Sequence, residues 1–523
     1  MPTHAEVMAR TLAERGVEYV FGLPGGEILA FIDACRRTGL RFVLTGHESS
    51  AAWIAQVLGQ ITGVPGVCAT TLGPGATNLA TGVANAFLDR SPLVAVTAQI
   101  PKGALATMTH QRLDLRALFS SITKGSFAVG ERDTAELMHN SLDLAEQPRS
   151  GPVHISLASD LATQEYASGN SPASTITDSV GGEIDAIAAR LAKAQRPLVL
   201  IGLGAPTSAT PVIRALIDRL EAPFLVTPKA KGIVPEDHPL FAGVASGMAI
   251  DKDIVETIRA ADLILALGFD PVECDKAWFA SVEIASIDAV SMMEGEYRPM
   301  EVIGNIASLV TQLPAVHKRW PPELLEQRRK AIRRTPREPA AGRVSPLRLI
   351  ESLRAAFPRD GIATCDVGSH KLAMGQFWRS YEHGTFFMSN GLSGMGFGIP
   401  AAIAAQLAHR EKAVIAVVGD GGMLMMLHDL ALIRELSLPS IIVVLSDRSL
   451  SLIRVSAERR GLPPYGVDFC PPDFVALAKG FGIASACAST VHEGENYVHS
   501  ALEQRIPFLL EVPIDHREYY ELV

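Results

Sequence analysis

The chain has 523 residues, 48% of them hydrophobic and 20% charged, with a formal net charge of −9. That size and balance suit several α/β domains with large cores. An acidic chain without a long basic run is a poor partner for nucleic acid, and no apolar stretch reaches the ~20 residues needed to span a bilayer.

The first residues predict an amphipathic helix rather than a signal peptide. An apolar run at 17–21 predicts a strand that ends in the tight turn Gly22-Leu23-Pro24-Gly25-Gly26. Glu48 opens a predicted helix, where an acid also suits the helix dipole. A strand at 66–70 runs into the loop 71–78, Thr-Leu-Gly-Pro-Gly-Ala-Thr-Asn, and further strands are predicted at 93–97 and 151–157. Glycine-rich turns at strand ends are common in loops; three such elements in one domain and in a fixed order are more specific. Residues 168–179, rich in Ser, Thr, Gly and Pro, read as a linker. A second block carries strands at 197–201, 224–226 and 263–267, and its Gly202-Leu203-Gly204 is a lone Gly-x-Gly. A charged connector at about 317–339 leads to a third block, and its arginines read as a solvated face.

The third block carries the most informative pattern. An apolar run at 414–418 marks a strand buried on both faces. It ends at Gly419-Asp420-Gly421-Gly422, and helical character follows over 423–436. A second apolar run at 441–445 stops at Ser446-Asp447. Acids therefore stand just beyond both strands of a strand–helix–strand unit. If the strands are neighbours, their ends lie ~5 Å apart. Asp420 and Asp447 would then suit one hard cation completed by phosphate oxygens. The glycines admit a diphosphate, and the helix N-terminus favours its charge. A plain turn explains Gly-Asp-Gly alone; the second acid is what points to a cation. Strands alternating with helices throughout predict an α/β fold of three doubly wound parallel-sheet domains, at 1–165, 185–315 and 345–523. The six cysteines are scattered with no Cys-x-x-Cys pair, which fits a reducing cytoplasm and neither a zinc site nor a disulfide framework.

The Gly-Asp-Gly unit resembles the binding signature of thiamine diphosphate (ThDP) enzymes, with Ser446-Asp447 in place of Asn-Asn and Gly422 in place of a frequent Ser. The order of the turn 22–26, His47-Glu48, the loop 71–78 and the stretch 88–99 resembles the pyrimidine-binding domain of acetolactate synthase-type enzymes. Residues 365–370, 390–400 and 465–474 resemble segments of the diphosphate-binding domain of that family. The resemblance covers nearly the whole chain. It implies ThDP as cofactor, with Mg²⁺ (Ca²⁺ or Mn²⁺ as substitutes) held by Asp420, Asp447 and the backbone carbonyl of Ser449. It implies that Glu48 hydrogen-bonds N1′ of the aminopyrimidine and that Gln111 stands near C2. The cofactor is implied to lie among Pro24, Gly25 and Asn78, with its diphosphate among Val367, Gly368, Ser369, His370, Gly421 and Gly422. The Ser393 carbonyl would receive the 4′-amino group, Met395 would prop the cofactor into its V shape, and Leu452 and Ile453 would form an aliphatic wall. Lys124 matches a lysine of the family.

The resemblance further implies decarboxylation of a pyruvate-like 2-oxo acid with carboligation to a second carbonyl. A homodimer or homotetramer is implied, with Glu48 and the diphosphate site coming from different subunits. Yeast-type pyruvate decarboxylases carry an acid, a His-His pair and a Glu where this chain has Gly26, His110-Gln111 and Ile453, so most donors for aldehyde release are missing. A 2-oxo acid decarboxylase or 2-hydroxyacyl lyase on the same scaffold is the alternative. A catalytically silent ThDP-binding regulatory protein is a third. No segment of the middle block matches the FAD-contacting loops of biosynthetic acetolactate synthases, so FAD is not expected. Neither nucleic acid nor membrane is an expected partner.

Overall fold

The computed structural model describes residues 1–104, 106–167, 183–274, 281–317 and 320–523. The predicted linker at 168–179 lies outside the described residues. The described chain builds three sheets, each of six parallel strands.

The first sheet contains β1 (Tyr19–Leu23), β2 (Arg41–Leu44), β3 (Gly66–Thr70), β4 (Leu93–Gln99), β5 (Gly125–Ala128) and β6 (Pro152–Ala158), in the order β2-β1-β3-β4-β6-β5. The second contains β7 (Pro197–Ile201), β8 (Phe224–Val226), β9 (Phe241–Val244), β10 (Leu263–Leu267), β11 (Glu283–Asp288) and β12 (Met300–Ile303), in the order β12-β11-β10-β7-β8-β9. The third contains β13 (Ile362–Cys365), β14 (Phe386–Met388), β15 (Val414–Gly419), β16 (Ile441–Ser446), β17 (Ala484–Cys487) and β18 (Phe508–Pro513), in the order β14-β13-β15-β16-β18-β17.

The first and third sheets thus share one strand order, a kinship the sequence does not display. The second has the order of doubly wound dinucleotide-binding folds. Central strands are buried along their whole length, as the apolar runs predict; β3, β7, β10 and β16 expose no residue. Helices cover both faces, as parallel sheets require.

Two details differ from the sequence reading. The charged connector contains the helix Pro322–Ile332, which buries none of its residues. The helical stretch after Gly-Asp-Gly divides into Asp420–Met425 and Asp429–Glu435.

By contact the chain forms two compact units. One gathers the first sheet with residues 391–411 and 426–438, and the other holds the second and third sheets. In the first unit the helix Gly398–Ala408 packs on the helix Glu48–Thr62. Nearly every residue of Gly398–Ala408 is buried, as suits a helix apolar on all sides.

Candidate functional site

In a doubly wound sheet, ligands bind beyond the carboxyl ends of the strands where the strand order reverses. In the first sheet that point lies between β1 and β3, and in the third between β13 and β15. Of the predicted site residues, seven belong to the first unit and eleven to the second.

In the first unit, the turn after β1 and the loop after β3 touch. A Cβ on Gly25 would lie 2.5 Å from Thr71 Cβ, so only glycine fits there. Glu48 is the first residue of the helix Glu48–Thr62 and is buried. The His47 side chain caps that helix, its Nδ1 accepting from the Ser49 amide at 3.1 Å. Glu48 Oε2 accepts from Asn78 Nδ2 at 3.0 Å. Asn78, read from sequence as a cofactor contact, is here the group that orients Glu48. A Cβ on Gly75 would stand 3.5 Å from Glu48 Oε1, so the glycine keeps the approach to this carboxylate open. Gln111 adopts a left-handed backbone (φ 55°) and its side chain lies against Gly73 of the same loop. Pro24 is exposed at the rim of the turn. Ser393 has φ 57° and is exposed, whereas Met395 is half-buried. Gly394 and Gly396 of that segment lie against Trp53 of the Glu48 helix. Lys124, far from a lone solvated lysine, donates to the Gln147 carbonyl at 2.8 Å, and burial pulls its pKa down to about 8.

Two features of this half were not anticipated. Gly26 lacks the acid of the pyruvate decarboxylases, but the next residue supplies one: Glu27 Oε2 accepts from Thr71 Oγ1 at 2.9 Å. Its charge, uncommon in a glycine-rich turn, was the available signal. On the Glu48 helix, Ser50 Oγ donates to Asp429 Oδ2 at 2.9 Å and lies 3.1 Å from His428 Nε2. Burial pushes the Asp429 carboxyl up to about 7. Nothing in the sequence joins these positions, which lie 379 residues apart.

In the second unit, β15 pairs in parallel with β16, Gly419 opposite Leu445, so the two acids fall at adjacent strand ends as predicted. Asp420 Oδ1 accepts from the Gly421 amide at 2.9 Å. Its Oδ2 accepts from the amides of Asp447 (3.1 Å) and Arg448 (2.7 Å). Asp447 Oδ1 accepts from the Ser449 amide at 3.2 Å and its Oδ2 from Ser451 Oγ at 2.5 Å. Arg448 turns the chain with φ 63°, which brings Ser449 back beside the pair. Burial first, and the Asp447 charge second, push the Asp420 carboxyl up to about 6; burial raises Asp447 as well. Among the described residues no group of three or more His, Cys, Asp or Glu side chains could hold a metal. A cation here would therefore draw on backbone and ligand oxygens in addition to the two acids, which is the habit of Mg²⁺.

The loop after β13 completes this half. Gly368 precedes the helix Ser369–Phe377 with no side-chain cap. A Cβ on Gly368 would meet the His370 ring at 2.8 Å, and one on Gly419 would meet it at 3.2 Å, so His370 sits between the two loops. Ser369 Oγ and His370 Nε2 are buried without a hydrogen-bond partner. Buried polar atoms are rarely left so, and a diphosphate at the uncapped helix start would relieve both. Burial lowers His370 to about 4. Val367 donates its amide to Asp366 Oδ1 at 2.7 Å. Asp366, not singled out from sequence, explains Gly422: a Cβ there would lie 1.9 Å from Asp366 Oδ2, leaving no room for serine. The predicted aliphatic wall divides, because Leu452 packs onto the core of the third sheet whereas Ile453 is 54% exposed.

The switch point of the second sheet is closed by the chain itself. Gly204 donates its amide to the Gly268 carbonyl at 2.7 Å. The Leu203 amide, at the position where a dinucleotide phosphate would be received, donates to the buried Glu273 Oε2 at 2.9 Å.

The raised acid pair has a pH consequence. Asp420 binds its proton more tightly in the folded chain than in the unfolded one, where the value is ~4. Its burial therefore costs stability as pH rises through about 4 to 6, and a cation that binds the charged pair restores it. The rise in Tm on adding Mg²⁺ with ThDP is expected to be full above about pH 6 and to shrink below it. Thermal melts across that range check this; a constant shift would contradict it.

Two like-ordered sheets, one presenting a buried, oriented glutamate and the other an acid pair and an uncapped helix start with unpartnered buried polar atoms, suit an α/β enzyme that binds an anionic cofactor. Comparison with known proteins agrees. The N-terminal TPP binding domain of thiamine pyrophosphate enzymes matches residues 2–118, the central domain 184–313 and the C-terminal TPP binding domain 366–512. Acetolactate synthase of Bacillus subtilis is 30% identical, the match covering 99% of this chain and 94% of that one. Acetolactate synthase isozyme 2 large subunit of Escherichia coli is 32% identical, covering 98% and 96%. A probable acetolactate synthase large subunit of Methanocaldococcus jannaschii is 30% identical, covering 99% and 93%. The chain belongs to the acetolactate synthase-like family of thiamine diphosphate-dependent carboligases and decarboxylases. No helix among the described residues is long and apolar enough to cross a membrane.

Proposed function

We propose that the protein decarboxylates a pyruvate-like 2-oxo acid and ligates the remaining acyl unit to a second carbonyl, with ThDP and Mg²⁺. The observation that carries this is the oriented Glu48 together with the Asp420–Asp447 pair at the paired ends of β15 and β16. When bound, ThDP supplies the carbon nucleophile and the electron sink. Glu48, steadied by Asn78, holds the proton shared with N1′ of the aminopyrimidine. Asp420, Asp447 and the Ser449 carbonyl hold the cation. Val367, Gly368, Ser369 and His370 receive the diphosphate with Gly421 and Gly422. Ser393 and Met395 seat the aminopyrimidine, Pro24 and Gly25 line its turn, and Gln111 and Ile453 face the substrate.

The domains are read as pyrimidine-binding (1–165), central (185–315) and diphosphate-binding (345–523). Two or four copies would assemble in the cytoplasm, the Glu48 half of one chain serving the diphosphate half of another. The apolar side chains left exposed in a single chain support this: Leu44 (53%) before Glu48, and Met425 (51%) and Ile453 (54%) shortly after Asp420 and Asp447 in the chain. The Glu273 carboxylate on the Leu203 amide supports a central domain that works without FAD. Carbon dioxide release from pyruvate, with and without ThDP and Mg²⁺, tests the reading. Release that requires both is expected, with a 2-hydroxyketone as product. Failure across a panel of 2-oxo acids, with cofactor bound, would overturn it.

One observation favours the decarboxylase alternative. Glu27 places a carboxyl group on Thr71, next to the loop that approaches Glu48. If that group donates the proton for aldehyde release, Glu27→Gln is expected to lower the ratio of aldehyde to hydroxyketone roughly a hundredfold or more, the low end for a general acid. Chromatographic product analysis of both proteins reads this ratio; an unchanged ratio removes Glu27 from the reaction.

A further inference from the structure

A cavity of about 390 Å³ opens in the second unit at the edge strand β9, apart from the switch point between β7 and β10. That volume falls in the range of small-molecule sites. Its walls come from β9, the helix Pro322–Ile332 with the residues after it, and the helices Pro346–Ala356 and Ser369–Phe377. Five arginines line it: Arg329, Arg333, Arg334, Arg354 and Arg379. Two carboxylates face them, Glu236 and Glu351, and Glu236 already holds Lys231 Nζ at 2.9 Å. Arg334 is paired with Asp253 at 2.8 Å and Arg329 stands 3.9 Å from Glu326. Arg333, Arg354 and Arg379 make no ion pair within 4 Å among the described residues, although Glu236 feels the charges of Arg354 and Arg379, and Glu351 that of Arg379.

Arg354 is the decisive group. It is 5% exposed, and its guanidinium lies 5.3 Å from the Trp378 ring and 4.7 Å from the Tyr381 ring. Its terminal nitrogens donate to the carbonyls of Pro358 (3.0 Å) and Phe357 (3.3 Å), while its Nε is buried with no partner. Burial makes Arg354 hold its proton less tightly than usual, against the opposing pull of Tyr381 and Glu236. A buried guanidinium nitrogen without a partner is costly, and planar guanidinium forks match phosphate oxygens in pairs. Tyr381, Phe241 and Phe377 add a partly aromatic wall suited to an organic body.

We propose that this cavity binds a small organic diphosphate of the nucleoside diphosphate class, distinct from the ThDP diphosphate. The test uses enzyme saturated with ThDP and Mg²⁺, so that the cofactor site is closed to competing phosphates. ADP titrated by calorimetry is expected to bind one site per chain and to be displaced by inorganic pyrophosphate. The double variant Arg333→Glu, Arg379→Glu alters two exposed side chains, which spares the fold. It is expected to weaken ADP roughly tenfold or more through loss of two charge-assisted contacts, with ThDP affinity unchanged. No binding of ADP at millimolar concentration, or binding indifferent to the double variant, would overturn the site. ADP that pyrophosphate fails to displace would overturn the diphosphate assignment.

Discussion

Glu48→Gln is expected to lower turnover by about 10²–10⁴-fold, the usual contribution of a positioned proton-holding group, while ThDP binds within a few-fold of its original affinity. The structure gives the reason for that division. Glu48 is buried at the start of its helix, in the unit that lacks the acid pair and the loop after β13. A glutamine keeps the size of the side chain and still offers an oxygen to Asn78 Nδ2, so the geometry persists. On the proposed role, what the amide loses is the proton that Glu48 would share with the aminopyrimidine. Steady-state carbon dioxide release and a ThDP titration on the same preparation separate the two effects. Unchanged turnover would remove Glu48 from proton chemistry; lost turnover with lost binding would make it a structural residue.

Asp447→Ala is expected to give the opposite pattern. Removing one of two carboxylates from the proposed cation site should weaken Mg²⁺-dependent ThDP binding by roughly 10–100-fold or more, since even supporting partners of metal ligands are worth that much. Turnover should recover in part at high cofactor and metal. The variant also frees Ser451 Oγ and the Ser449 amide, both now held by Asp447. Asp447→Asn is the companion: it keeps an oxygen at that place and relieves the like charge that helps raise Asp420. It should retain binding and move the pH dependence of Mg²⁺ stabilisation to lower pH. A metal dependence untouched by Asp447→Ala would remove the acid pair from the cation site.

Much of this was legible in the chain. The apolar runs at 414–418 and 441–445 are short, unbroken and bounded by turn residues, and strands buried on both faces admit little else. The acids at their ends follow from the local order, because a crossover between neighbouring parallel strands brings the ends together. Glu48 at a helix start and the loop 71–78 were visible for the same reason: each is set by a few adjacent residues. The motif order carried the family, as the three matching domain models bear out.

What the sequence alone determined is therefore the succession of strands and helices, the glycine-rich turns and the acids placed beside them. These depend on periodicity and on residue types that fix local backbone shape. Tertiary structure alone decided the rest. It gave the first and third sheets the same strand order, turned Asn78 onto Glu48 and Glu27 onto Thr71, and filled the space beside Gly422 with Asp366. It set Glu273 on the central glycine loop and gathered arginines from three helical regions around one cavity. Each of these is a contact between residues distant in the chain, and no local propensity encodes it. Only the packing of whole elements, driven by burial of their apolar faces, brings such groups within hydrogen-bond reach.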